Sequence, residues 1–437
     1  MTITQKFKSL DQTSEHLGNV KYLQCINCNE IYSLQRLKEE QGTTLLNVCY
    51  ANCLGPLSLI FDLEKIKISK NDLFLRKKRF SMIHELLPFE NVNIEKDFAF
   101  SELRYSTHYS SKLGLNVYFK LDMDLTSGSF KDRPVLAAFK RAKEVGYDKV
   151  FVASTGNLAI SCLKLGKEFG FDVKVYLSNT INKKRRTDIE QFADNLNKQI
   201  ITVSGSYDDA NVLAIKDCEN QNIIDLKENG QYKTFVPNYT FRPYYKEGSK
   251  TSGFEIALQL IEKNISPSRN IHIFYPVGSG ALLCSAYKGI NELQSLGLFK
   301  NNVSFYGIQQ SSLNPVVEAF RNNNALRPQV ARNHLVKEIA IGNPGSGIET
   351  LKIIRKSNGW MEDVTDKETI QSFFELNNNE NIFPQLCGAM TISGFEKIHS
   401  YKKFSSNDVI VINITGNGNG KIEDDLWDYI NKYGIGE

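Results

Sequence analysis

The residues with the clearest chemical potential are Ser127-Gly128-Ser129-Phe130-Lys131-Asp132-Arg133. One lysine sits where an apolar strand, NVYFKLD from Asn116, gives way to a helix, KDRPVLAAFKRAKEVG from Lys131. Alanine and phenylalanine recur at helical spacing in that helix. Ser129 is placed to cap it, and Gly128 permits the tight turn before it. Pro134 falls in the first turn, where its missing N–H costs little. An ammonium here meets the positive end of the helix dipole and the neighbouring Arg133. Both disfavour the charged form and should lower its pKa. Only a neutral amine attacks an aldehyde, so Lys131 is the candidate Schiff-base lysine. The competing reading is a solvated lysine at a helix start, the ordinary fate of a charged side chain.

Three more corners share this design. KVFVAS (Lys149 to Ser154) suits a buried parallel strand. It meets Thr155-Gly156-Asn157 and then a helix from about Leu158, and Asn157 offers both a donor and an acceptor there. NIHIFYPV (Asn270 to Val277) runs into Gly278-Ser279-Gly280-Ala281-Leu282 and a further helix. Small residues at a helix start let successive backbone N–H groups point at one phosphate. The pattern is neither GxGxxG nor a P-loop, so it suits a resident cofactor's phosphate better than a transferable one. DVIVINIT (Asp408 to Thr415) is a buried strand before Gly416-Asn417-Gly418-Asn419-Gly420. Thr415 falls at its carboxyl end, where α/β proteins place ligand groups, and its hydroxyl could hydrogen-bond a pyridine nitrogen. Each corner taken alone could equally be a plain strand–helix connection or a glycine-rich exit.

The amino-terminal region carries a different cluster. Cys25-Ile26-Asn27-Cys28 and Cys49-Tyr50-Ala51-Asn52-Cys53 form two close pairs. Four thiolates so spaced suit tetrahedral zinc, although the second pair has three intervening residues where two are usual. Asn29 follows the second cysteine and tolerates positive φ, as a knuckle requires. The alternative is a metal-free ribbon with reduced cysteines. A metal here would be structural, closing a region too small to hold itself together.

The elements that position these groups follow from strand–helix alternation. Strands are expected near 116–121, 149–154, 173–178, 199–203, 271–277, 303–309 and 408–414, with helices between. The fold class is α/β: a two-lobed, doubly wound parallel or mixed sheet with ligand between the lobes. Residues 1–20 are polar and expected to be flexible, and 21–65 form the ribbon. Residues 66–437 form the catalytic domain, with a smaller lobe at about 153–240. Within 66–110, KKRFSMIHELLPF is expected to pack on the catalytic body. Composition over 437 residues, 41% hydrophobic and 23% charged with net charge +4, is that of a globular protein with no bias toward acidic partners. The basic runs Arg76–Arg79 and Lys183–Arg186 read as solvated faces rather than nucleic-acid sites. No apolar run reaches membrane-spanning length, and MTITQKFKSL lacks a signal-peptide core, so no membrane partner is expected and the location is cytoplasmic. Cys162, Cys218, Cys284 and Cys387 are scattered singly and are expected as buried reduced thiols.

Taken in order, these segments resemble the threonine synthase branch of the fold-type II pyridoxal-phosphate enzymes, whose fold is tryptophan synthase β-like. The resemblance runs from about Tyr22 to Asn431. SGSFKDR is similar to the cofactor-lysine motif, ASTGN (Ala153 to Asn157) to the ring-contact loop, and PVGSGALL (Pro276 to Leu283) to the phosphate cradle. Glu247-Gly248-Ser249-Lys250-Thr251 is similar to an EGxKT helix start. AIGNPGSG (Ala340 to Gly347) resembles a loop typical of this branch, and ITGNGNG its terminal segment. LGPLSLIFDL (Leu54 to Leu63) resembles the strand after the zinc ribbon at the start of some threonine synthases.

The resemblance implies that Lys131 holds pyridoxal phosphate as the internal aldimine and then shuttles the substrate Cα proton. Asn157 would contact the cofactor's 3′-oxygen. Gly278, Ser279, Gly280, Ala281 and Leu282 would bind its phosphate, and Thr415 would face its ring nitrogen. Ser154 and Thr155 would lie beside the substrate carboxylate, with Arg242 and Lys250 as further substrate contacts. Zinc would be held by Cys25, Cys28, Cys49 and Cys53. A small amino-acid substrate and a homodimer are expected.

The substrate side departs from the family pattern. KDFAFSELRYS (Lys96 to Ser106) stands where a glycine-rich stretch is usual, Tyr245 where an arginine is common, and Ala340 at another arginine position. Asn417 replaces a histidine, and Ser279 and Leu282 replace asparagines. A phosphate ester needs several cationic or N–H partners, so these losses bear on the leaving group. The leading expectation is a lyase of amino-acid biosynthesis that converts O-phosphohomoserine and water to threonine and phosphate. The alternatives are β-elimination or β-replacement on an O-phosphoserine-like or O-acetylserine-like amino acid and, in another class, a catalytically silent binding relative. Retention of Lys131, Asn157 and Thr415 together argues against the last.

Overall fold

The apolar runs form ladders whose partners lie far apart in the chain. A computed structural model describes residues 17–34, 49, 51, 53, 55–90, 94–154, 156–179, 181, 183–239, 242–330, 334–418 and 424–433. Thr155 and residues 1–16 of the polar amino terminus lie outside the described residues. The chain divides into two compact units, one of Met1–Ala99 with Lys131–Ser249 and one of Phe100–Phe130 with Lys250–Glu437.

The first unit holds two sheets. β1 (Val20–Cys25), β2 (Ile31–Tyr32) and β3 (Leu57–Phe61) form an antiparallel ribbon in the order β2-β1-β3. The other sheet is parallel, in the order β8-β7-β6-β9: β6 (Lys149–Ala153), β7 (Asp172–Ser178), β8 (Ile200–Val203) and β9 (Thr234–Phe235). Phe151, Tyr176 and Val203 pack there with Ala210, Ala214 and Cys218 of the helix Tyr207–Asn229. Helices connect parallel strands because a crossover must return the chain to the same end.

KKRFSMIHELLPF packs where the sequence places it. Phe80, Met82, Ile83, Leu86, Leu87 and Phe89 are buried. Asp97 receives the Ser81 N–H at 3.0 Å and pairs with Lys140 of the helix Asp132–Glu144 at 2.5 Å.

The second unit is a six-stranded sheet ordered β12-β11-β10-β13-β5-β4. Its strands are β4 (Leu103–Tyr105), β5 (Asn116–Lys120), β10 (Ile271–Pro276), β11 (Val303–Gln310), β12 (Trp360–Val364) and β13 (Val409–Asn413). All pairs are parallel except β4 with β5. The central strands are apolar on both faces, and Val117, Phe119, Phe274, Ile308, Ile410 and Ile412 join one buried core. The carboxyl ends of β5, β10 and β13 lead into three of the four corners.

Candidate active site

In the second unit the lysine turn and the Thr-Gly segment are stitched together. Gly128 has φ +81°, the left-handed conformation the turn needs. The Phe130 N–H donates to the Thr415 carbonyl at 2.9 Å, and the Asn417 N–H to the Gly128 carbonyl at 2.8 Å. Ser129 and Gly416 form an isolated bridge between them. Two segments nearly three hundred residues apart thus share one small ladder immediately before Lys131.

A buried polar network underlies this ladder. Asp122 receives the Ser101 hydroxyl at 2.7 Å and the Asn413 amide at 3.0 Å. Lys120, at the end of β5, pairs with Glu255 at 2.6 Å and donates to the Ser101 carbonyl at 2.6 Å. Lys120, Asp122, Glu255 and Asn413 are all fully buried. A buried charge persists only when paired and hydrogen-bonded, so this network fixes the exits of β5 and β13 in one arrangement. Sequence reasoning missed it, because Lys120 and Glu255 lie 135 residues apart.

In the first unit Lys131 is itself the N-cap of the helix Asp132–Glu144, with φ −61° and no side-chain cap bond. Ser129 therefore does not cap it, and its residue pairs with Gly416 instead. Burial brings the Lys131 amine down from 10.5 to about 8, with the nearby Cys162 thiol opposing the shift. The direction is the one expected from sequence. Its main cause is loss of water rather than the dipole and Arg133. Asp132 is buried and accepts the Ser161 hydroxyl at 2.7 Å. Arg133 is fully buried, with its guanidinium over the Phe98 ring at 5.9 Å.

Ser154 follows β6 and is buried, and its hydroxyl accepts the Gly156 N–H at 3.3 Å. Asn157 begins the helix Asn157–Phe169, one residue earlier than its pattern suggests, and is partly exposed. Arg242 begins the helix Arg242–Glu262 and is also partly exposed. In the second unit Lys250 is fully buried and pairs with Glu292 at 2.8 Å.

Gly278 to Leu282 join β10 to the helix Ala281–Ser295. Gly280 is the N-cap, with φ +85°. A Cβ at Gly280 would fall 2.2 Å from Thr350 Oγ1, and one at Gly278 3.1 Å from the Ile339 Cα. The Ser279 carbonyl accepts the Ser346 N–H at 2.9 Å, which ties the loop to the segment resembling AIGNPGSG. A helix of 15 residues thus presents its first N–H groups beside a glycine cradle, the arrangement that binds phosphate. Within the second unit, the glycine cradle and its helix start fit the phosphate of pyridoxal phosphate, and in the first unit a buried lysine of lowered pKa fits its aldehyde.

The four amino-terminal sulfurs converge. Those of Cys25, Cys28, Cys49 and Cys53 lie within 4.8 Å of one another. Cys25 and Cys53 are 3.4 Å apart, and Cys28 is 3.5 Å from both Cys49 and Cys53. A zinc tetrahedron with Zn–S near ~2.3 Å has edges of about 3.8 Å, so the cluster fits that ion. Asn29 has φ +64°, and the N–H groups of Asn27 and Gly55 each donate to a cysteine sulfur at 3.4 Å. Burial pushes the Cys49 thiol up. The Tyr32 hydroxyl at 3.1 Å, the Ala51 N–H and the neighbouring thiols outweigh it and bring the thiol to about 7.

Comparison with known proteins follows the same lines. The family model described as pyridoxal-phosphate dependent enzyme matches residues 94–416. The threonine synthase of Methanosarcina acetivorans is 28% identical over 399 residues, covering 90% of this chain and 91% of that protein. That of Methanocaldococcus jannaschii is 27% identical over 402 residues, with 90% and 91% covered. Among solved structures, a fungal L-serine ammonia-lyase from Rhizomucor miehei superposes with TM-score 0.60 at 16% identity, covering 77% of this chain and 98% of that one. Threonine deaminase isoform 2 from Solanum lycopersicum gives 0.58 at 16% identity, covering 77% and 84%. These structural likenesses concern the fold.

Proposed function

The chain belongs to the pyridoxal-phosphate dependent enzyme family, and from that premise we propose that it is a threonine synthase-type lyase converting O-phosphohomoserine and water to threonine and inorganic phosphate. The observation that carries the reading is the ladder between Ser129-Phe130 and Thr415-Gly416, directly before a lysine that burial brings to about 8. The threonine synthases matched over 90% of the chain support the choice of substrate.

Bound pyridoxal phosphate supplies an electron sink for negative charge at the substrate's Cα and Cβ. The chain's own residues do the rest. Lys131 Nζ, desolvated by burial and so available as a neutral amine, would hold the cofactor and would accept and return the Cα proton. The N–H groups of Gly278 to Leu282 would hold the cofactor phosphate at the helix start. Asn157 and Thr415 would hold its ring. Ser154 and Thr155 orient the substrate carboxylate. Arg242 serves the substrate phosphate, replacing the arginine that Tyr245 displaces. Lys250, whose ammonium is paired with Glu292, is a further substrate contact in this reading.

A second reading keeps the same cofactor site and changes the substrate. Tyr245 and Ala340 stand at arginine positions of the family pattern, which favours β-elimination or β-replacement on an O-phosphoserine-like or O-acetylserine-like amino acid. Phosphate and threonine are measured in one tube with O-phosphohomoserine. Equal amounts support threonine synthase. No release, with the cofactor's visible absorption intact, means a working cofactor site for a different substrate, and turnover of O-phosphoserine or O-acetylserine with nucleophiles then supports the second reading. Tyr245→Arg sharpens the choice: it raises phosphohomoserine turnover in a drifted threonine synthase and lowers turnover of any unphosphorylated substrate.

The same reading places structural zinc on Cys25, Cys28, Cys49 and Cys53. None of the eight cysteines is in a disulfide, and the reading includes a cytoplasmic location. No helix among the described residues is long and apolar enough to cross a membrane. The assembly in this reading is a homodimer.

A further inference from the structure

Thr415 has a sulfur neighbour. Cys387 Sγ lies 3.3 Å from Thr415 Oγ1, and both residues are 3% exposed. The backbone around this contact is fixed from both sides. The Gln385 N–H donates to the Gly416 carbonyl at 2.7 Å, and the Gly418 N–H to the Phe383 carbonyl at 2.8 Å. Pro384 and Asn417 form a bridge between the same two segments. A Cβ on Gly388 would lie 3.2 Å from Ile414 Cγ2 and 3.1 Å from Pro384 Cβ, so glycine lets the start of the helix Leu386–Lys402 approach the exit of β13. On the other side, the Ile414 N–H donates to the Lys120 carbonyl at 2.9 Å, and the Thr415 carbonyl accepts from Phe130. With the chain held this way, the remaining freedom at Thr415 is rotation of its side chain and hydroxyl proton.

A threonine hydroxyl has one proton to give and two acceptor positions, whereas a thiol is a weak donor and a weak acceptor. Only one of the two groups can point its proton at the other. We propose that Cys387 is a positioning residue whose S–H donates to Thr415 Oγ1 and so turns the Thr415 proton toward the cofactor's ring nitrogen. The proposal rests on the reading of Thr415 as the ring-nitrogen contact. With Cys387 in place, the ring nitrogen receives a hydrogen bond and stays uncharged. Without it, the Thr415 hydroxyl can turn and accept a hydrogen bond from the N–H of a charged ring nitrogen. Cys387 therefore biases the electronic state of the cofactor without touching it.

The test uses the cofactor-loaded protein with Cys387→Ala, Cys387→Ser and Cys387→Val. Serine keeps a donor in a smaller volume, and valine keeps volume without a donor. Visible absorption across pH and the pyridoxal phosphate dissociation constant are the readouts. Cys387→Ser should match the wild type. Cys387→Ala and Cys387→Val should shift the absorption and weaken cofactor binding roughly threefold to tenfold, the ratio equivalent to one net hydrogen bond. If valine matches the wild type and serine behaves like alanine, the side chain only fills space and the proposal is overturned. Three variants all matching the wild type overturn it too. Thr415→Val separates the layers. If it leaves the absorption of a normally coloured protein unchanged, the assignment of Thr415 fails and this inference with it. If it moves the absorption while no Cys387 variant does, only the inference fails.

Discussion

The cysteine ribbon and the lysine turn hold reactive groups by opposite means. In the ribbon, the sulfurs are delivered by two short knuckles on a three-stranded sheet, and Cys28 is exposed. In the lysine turn, position comes from strand exits locked by a buried network of Lys120, Asp122, Glu255 and Asn413. The ribbon buries only a few apolar side chains, among them Leu23, Leu57, Leu59 and Phe61, so a metal on the four sulfurs would add to its stability. The turn is held by hydrogen bonds within the sheet. The first arrangement should fail on metal removal and the second on removal of a single side chain.

The largest expected effect is at the turn. Lys131→Ala should abolish cofactor-dependent visible absorption and lower turnover by on the order of 10³-fold or more, measured by phosphate release. The fold should survive, because Lys131 contributes no side-chain cap to its helix.

At the ribbon, metal analysis should find one zinc per chain, lost in Cys49→Ser. Chelation should expose the ribbon to proteolysis while the visible absorption of the cofactor persists, since the ribbon strands form a sheet of their own. Loss of colour on chelation would break the comparison.

A smaller effect tests the cradle. Gly280→Ala places a Cβ 2.2 Å from Thr350 Oγ1 at a residue with φ +85°. Stability should fall by about 1–3 kcal/mol and cofactor affinity should fall with it, read by thermal unfolding with and without pyridoxal phosphate.

The mildest effect is a pH dependence. The Lys131 amine titrates at about 8 rather than 10.5, because burial disfavours its charge. Capture of pyridoxal phosphate by cofactor-free protein should quicken about tenfold per pH unit up to about 8 and then level. Stability of the cofactor-free protein should also rise with pH between about 8 and 10.5, where the unfolded chain binds the extra proton. Stopped-flow absorbance and denaturant titration measure these. A capture rate still climbing at pH 10 would show a solvated lysine.

Much of the sheet was legible because central parallel strands are continuous apolar runs: NVYFK, KVFVA and VIVIN occupy β5, β6 and β13. The strands that escaped lie at edges or are short. β4 has three residues and β9 two. β12 reads WMEDV, and its two acids are answered by Arg321, which pairs with both, and by Tyr401. The knuckle spacing revealed the sulfur cluster, because metal ligands recur at short range. Cys387 read only as a buried thiol, since its partner lies 28 residues away and nothing local marks the contact. The cause of the Lys131 shift was hidden for the same reason, because burial depends on the whole fold.

The central claim is that Lys131 carries the cofactor, and its most direct test is borohydride reduction of the cofactor-loaded protein followed by peptide mass spectrometry. The account predicts one pyridoxal phosphate fixed to the peptide containing Ser127-Gly128-Ser129-Phe130-Lys131, absent from Lys131→Ala. Label on another lysine, or none in a protein that binds the cofactor, would contradict it.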